Sequence, residues 1–175
     1  MKKLIISALS FGLLMASGAQ AQEVKRTGPA ESPISTVVTV PPGYTTYYVS
    51  GLVPPVVDKT APAGTAAVFG GSTEVQTEGV ILRIKDALAA EGLGLGDIVM
   101  MRVYLVGDPA LGGKLDFGGM MKSYKKYFGT AEQPNKPSRV TTQVAALAGE
   151  GMLVEIEVQA VKKIATPAMP KKAKK

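Results

Sequence analysis

Cysteine, histidine and tryptophan are all absent from this chain of 175 residues. Their absence excludes whole classes of chemistry. Thiol nucleophiles, Ser-His triads, zinc centres and iron–sulfur clusters each lose an essential side chain. Carboxylates, Arg, Lys, Tyr, Ser, Thr and backbone groups remain. Without cysteine there are no disulfides, so cysteine usage says nothing about redox compartment. No cluster of arginines and aromatics is present, which argues against nucleic-acid binding.

A comfortable membrane span is also missing from the start of the chain, where the apolar run Leu4 to Met15 is too short. Preceded by Met1-Lys2-Lys3 and followed by Ala19-Gln20-Ala21, that run reads better as a signal peptide over 1–21, cleaved after Ala21. The alternative is a transmembrane anchor. The signal-peptide reading predicts a soluble exported protein starting at Gln22, periplasmic in a Gram-negative bacterium, with no membrane contact after cleavage. The formal charge of +6 falls to about +4 once Lys2 and Lys3 leave. Part of the rest sits in 164–175, an Ala, Pro, Met and Lys tail that reads as disordered. Residues 22–34, polar with Gly28 and Pro29, read as a flexible lead-in. What lies between, 35–163, fits one domain.

Within that domain Ser35 to Val40 and Tyr44 to Leu52 have the β-branched and aromatic content of strands. Prolines and glycines from Val53 to Gly71 predict a long surface loop. Thr73 and Gln76 have the spacing of a capping box. The helix they open carries Val80, Ile81, Ile84 and Leu88 on one face and stops at Gly92. Ile98 to Val106, almost wholly apolar, predicts a strand covered on both sides. A second helix, about Leu115 to Phe128, places Phe117, Met120, Met121, Tyr124 and Phe128 on an apolar face.

The last two strands carry the most chemistry. From Met152 to Val161 the chain alternates, with Val154, Ile156, Val158 and Ala160 on one side and Glu155, Glu157 and Gln159 on the other. The short loop Ala148 to Gly151 predicts a hairpin with the preceding strand, which starts at Pro137-Ser138-Arg139. The order β-β-α-β-α-β-β then gives an α+β fold, a mixed sheet with two helices on one face. The other face, carrying Arg139, Glu155 and Glu157, is expected to be partly covered by another subunit. A guanidinium that can grip a carboxylate, near a carboxylate that can handle a proton, is a candidate site. Arg139 has two readings: ligand binding, or an ion pair with a glutamate at a subunit interface. Glu157 reads as salt-bridged, and Glu155 as functional. Two carboxylates without further ligands do not make a metal site. Ser50 has no base to activate it as a nucleophile. Tyr104, Tyr124, Met100-Met101 and Met120-Met121 read as core.

Several motifs, in order, resemble the Rid family (RidA/YjgF, also labelled L-PSP endoribonuclease). Ser50-Gly51-Leu52-Val53-Pro54 resembles its S-G-x-[IV]-P signature, and Gln76-Thr77 the start of its first helix. Gly92 with Gly96-Asp97-Ile98-Val99, Val103-Tyr104-Leu105, and Tyr124 with Phe128 resemble later steps. Pro137-Ser138-Arg139 resembles P-x-R, and Val154-Glu155-Ile156-Glu157 the closing [IV]-E-[IV]-E. The likeness runs from about Ser35 to Lys162.

The resemblance implies a chorismate-mutase-like fold assembled as a homotrimer, with ligand clefts between subunits. It implies deamination of small reactive enamine or imine acids, such as 2-aminoacrylate, to 2-keto acids and ammonia, with no cofactor. Arg139 would hold the substrate carboxylate and Glu155 would position the attacking water. Ser50, Gly51 and the backbone at Thr141 would shape the pocket. Two positions depart from the family pattern: Ile34 follows Pro33 where a tyrosine is common, and Met121 stands where an asparagine is common. Both make the cleft less polar, and point to a different or larger imine or to a slower enzyme. The alternative function is a non-catalytic small-carboxylate binder or holdase. Ribonuclease action ranks last, since a histidine base and a basic groove are missing.

Overall fold

Residues 22–165 are described by a computed structural model; the expected signal peptide and all but the first two residues of the expected tail lie outside them. Two short strands, β1 (Lys25–Thr27) and β2 (Val37–Thr39), pair antiparallel as a separate ribbon. This corrects the expectation of a flexible lead-in over 22–34. Side chains fasten the segment to the body: Arg26 Nη2 donates to the Gly96 carbonyl at 3.0 Å, and Lys136 Nζ donates to Ala30 and Ser32 carbonyls at 3.0 and 2.8 Å.

The main sheet has four strands. They are β3 (Tyr44–Leu52), β4 (Ile98–Val106), β5 (Ser138–Val144) and β6 (Val154–Lys163), in the spatial order β3-β6-β4-β5. β6 is antiparallel to both β3 and β4, whereas β5 runs parallel to β4. The hairpin expected between the Arg139 and Glu155 strands therefore does not form, because β4 lies between them. The burial pattern supplies the reason. Val154, Ile156, Val158 and Ala160 are all buried, so β6 belongs inside the sheet with hydrogen bonds on both sides. β5, rich in Ser, Thr and Gln, makes the more soluble edge.

Two helices cover one face. α1 (Thr73–Ala90) buries Val80, Ile81, Ile84 and Leu88 on the sheet, as their spacing predicts. α2 (Phe117–Tyr124) is shorter than expected and is capped by Asp116, whose Oδ1 accepts from the Gly119 N–H at 2.7 Å. The core face of the sheet is Met101, Val103 and Leu105 of β4 with Val154, Ile156, Val158 and Ala160 of β6. The opposite face of β4 carries half-buried Met100, Arg102, Tyr104 and Val106, so within one chain this strand is covered on one side and not on both.

The expected capping box is also corrected. Ser72 is the N-cap, accepting from the Val75 N–H, and Gln76 turns inward. Fully buried, Gln76 donates through Nε2 to the Gly151 carbonyl at 3.0 Å and accepts from the Leu153 N–H at 2.7 Å. It thus holds the loop that leads into β6. Gln76→Leu is expected to destabilise the protein by roughly 2–4 kcal/mol, since two buried backbone groups lose their partners. A urea midpoint close to wild type would show that the loop finds other partners.

Candidate functional site

Arg139 is the second residue of β5 and pairs in register with Met101. Its side chain therefore lies on the helix face, at the sheet edge, where α2 passes. Tyr124 lies under the guanidinium, with Cζ 4.3 Å from the ring centroid, and Phe117 flanks it at 5.8 Å. Two thioethers complete the surroundings, Met121 Sδ at 3.2 Å from Nη2 and Met120 Sδ at 3.9 Å from Nη1. No carboxylate among the described residues pairs with Arg139. Burial pulls its pKa below the usual arginine value, and neighbouring Tyr124 acts the other way. Burial also pushes the Tyr124 phenol up to about 12, and its hydroxyl donates to the Pro33 carbonyl at 3.0 Å. Two residues along β5, on the same face, the Thr141 hydroxyl oxygen is buried without a hydrogen-bond partner.

Glu155 belongs to a different corner. It lies on β6 opposite Tyr104, on the sheet face away from the helices. Between Val49 and Leu52 the pairing of β3 with β6 shifts, so Ser50 and Gly51 form a bulge against it. Bulges re-aim the chain at functional sites. At Gly51 the bulge leaves room for the Glu155 carboxylate: a methyl group there would overlap Glu155 Oε1. Further along the same face, Glu157 accepts from Arg102 Nη1 at 2.8 Å and from the Tyr104 hydroxyl at 3.0 Å. The bond to Glu157 raises the Tyr104 phenol above its ordinary range. Glu157 is thus ion-paired, and Tyr104 belongs to this polar cluster and not to the core.

The five candidate residues fall into two groups. Ser50, Gly51 and Glu155 meet at the β3–β6 corner on the open face, while Arg139 and Thr141 sit at the β5 edge on the helix face. The expectation that Arg139 shares a face with Glu155 and Glu157 is overturned. Glu155 on β6 is two strand spacings from β5, roughly 10 Å, and Ser50–Gly51 on β3 three, roughly 14 Å, with the sheet itself between the two faces. Reading the sequence alone also missed that Met120, Met121 and Tyr124 surround the guanidinium. Their helical spacing is the ordinary signal of a core face, and here one stripe serves both purposes.

These features define an α+β protein in which an arginine edge and a carboxylate corner lie on opposite sides of one sheet. The family model described as Endoribonuclease L-PSP matches residues 29–162, and the chain belongs to this family, the Rid family that its motifs resemble. A RutC family protein of Pyrococcus horikoshii is 35% identical over 98 residues, 56% of this chain and 69% of that protein. One from Saccharolobus solfataricus is 40% identical over 115 residues, 66% of this chain and 78% of its own. A solved Rid-family protein of unknown function from Yersinia pestis shares the fold, with a TM-score of 0.58 at 21% identity over 79% of this chain and 98% of that one.

Proposed function

We propose that the protein is a Rid-type deaminase that hydrolyses reactive 2-imino acids to 2-keto acids and ammonia, in clefts between the subunits of a homotrimer. The observation that carries this reading is the Arg139 guanidinium, half-buried among sulfur and aromatic groups with no carboxylate partner among the described residues. A desolvated charge of this kind is stabilised when an anion reaches it. The separation of Arg139 from Glu155 supports the shared cleft. One copy's Arg139–Thr141 edge would face a neighbour's Ser50–Gly51–Glu155 corner, and neither group is a complete site alone.

In this mechanism an enamine substrate first takes a proton from solvent at C3 and becomes the iminium ion, the protonated imine. Arg139 holds the carboxylate through two parallel N–H donors, which fixes the position of C2. Glu155 accepts a proton from water as the water oxygen adds to C2 and the C=N electrons move to nitrogen. Glu155 returns that proton to nitrogen. The C–N bond breaks, ammonia leaves, and the added hydroxyl loses its proton to give the keto acid. An imine carbon is already electrophilic, so orientation and one proton relay are sufficient work for the protein.

Export belongs to the same proposal, with a mature chain beginning at Gln22; N-terminal sequencing of protein recovered from a periplasmic fraction checks it. A second reading, carboxylate binding without turnover, is favoured by the thioethers and Phe117 beside Arg139, which offer little to hold water. The deciding experiment is ammonia release from imines generated in situ by an amino-acid oxidase, with light scattering on the same sample. Acceleration by a trimer is the expected result. A monomer, or a folded trimer that accelerates no imine, would overturn the deaminase reading. In the latter case, thermal protection by a 2-keto acid would establish the binder.

A further inference from the structure

We infer that Met121 and Phe117 restrict the Arg139 site to 2-imino acids with bulky apolar side chains. The inference rests on the deaminase reading and concerns its substrate class. Met121 Sδ lies 3.2 Å from Arg139 Nη2, and the Phe117 ring is 5.8 Å from the guanidinium carbon. Phe117 is 48% exposed although it begins a helix whose other large apolar residues are mostly buried. It presents an aromatic surface directly beside a cation.

A carboxylate that takes the Nη2 donor now directed at Met121 displaces that thioether from its 3.2 Å contact. Carbon C2 and its substituent then lie within a few ångströms of the displaced thioether and the Phe117 ring. Neither side chain offers a strong hydrogen-bond donor or acceptor. A hydroxyl or carboxamide on the substrate would lose water there without gaining a partner. A branched aliphatic or aromatic group would bury apolar surface and cover the exposed face of Phe117. A methyl group is too small to reach both. The same two residues that give a small polar substrate nothing therefore reward a large apolar one.

The test compares kcat/KM for imines generated from alanine, serine, leucine and phenylalanine, together with binding of the corresponding stable 2-keto acids by calorimetry. The leucine- and phenylalanine-derived imines are expected to be favoured about 10-fold or more over those from alanine and serine, the range that one or a few methylenes in an apolar pocket provide. Met121→Asn should reduce that ratio about tenfold through KM, as should Phe117→Ser, whose half-exposed position makes misfolding a minor risk. Equal use of all four imines, or a preference for alanine or serine, would overturn the inference and leave the deaminase reading intact. An absence of turnover and of keto-acid binding would overturn both.

Discussion

Arg139→Ala is expected to lower kcat/KM for imine hydrolysis about 100-fold or more, because it removes a charge-assisted, bidentate contact in desolvated surroundings. Arg139→Lys keeps the charge but loses the planar fork, and should retain an intermediate rate. Glu155→Gln removes the proton acceptor and should cost about 10²–10⁴-fold. The shared cleft adds a sharper expectation. If the two inactive variants are refolded together in equal amounts, about a quarter of the sites in random trimers combine an intact Arg139 with a neighbour's intact Glu155. About a quarter of the wild-type activity should then return. No recovery, in samples shown by mass spectrometry to contain mixed trimers, would exclude a site divided between subunits.

Gly51→Ala is expected to reduce activity about 100-fold while leaving stability nearly unchanged. The backbone at Gly51 has no positive φ, so alanine can adopt it. The added methyl meets Glu155, with Cδ at 2.8 Å and Cγ at 3.1 Å in addition to the overlapping Oε1. These atoms end a flexible side chain, which can swing aside at little cost to the fold, within about 1 kcal/mol. The displaced carboxylate would no longer hold water over the imine, and misplacement by about 1 Å is enough for a 10²-fold loss. The check is kcat/KM beside a urea midpoint. Full activity would mean that the position of the Glu155 carboxylate does not matter to the reaction. A collapse in stability would mean that Gly51 serves the bulge itself.

Much of the architecture was legible in the residues. Tyr44–Leu52 and Ile98–Val106 were read with their observed bounds, because β-branched and apolar runs between turn residues leave few alternatives. The buried stripe of α1 followed from its spacing. Gln76 was misread because a capping box and a buried clamp on a distant loop present the same side chain at the same position. β1 was missed because three residues, Lys25–Thr27, are too few to show a period.

By itself, the sequence determined which chemistries lose an essential side chain, where the long strands and helices lie, and which family the ordered motifs resemble. Those depend on side-chain type and local periodicity, and both are local properties. Only the tertiary structure decided that β5 joins β4 and not β6, that Arg139 faces the helices, and that Gly51 makes room for Glu155. Period-two alternation says which residues share a face, but backbone hydrogen bonds carry no side-chain identity to name the neighbouring strand. The sheet's order places inside the two strands with a continuous buried face, β4 and β6. That order separated the arginine from the glutamate.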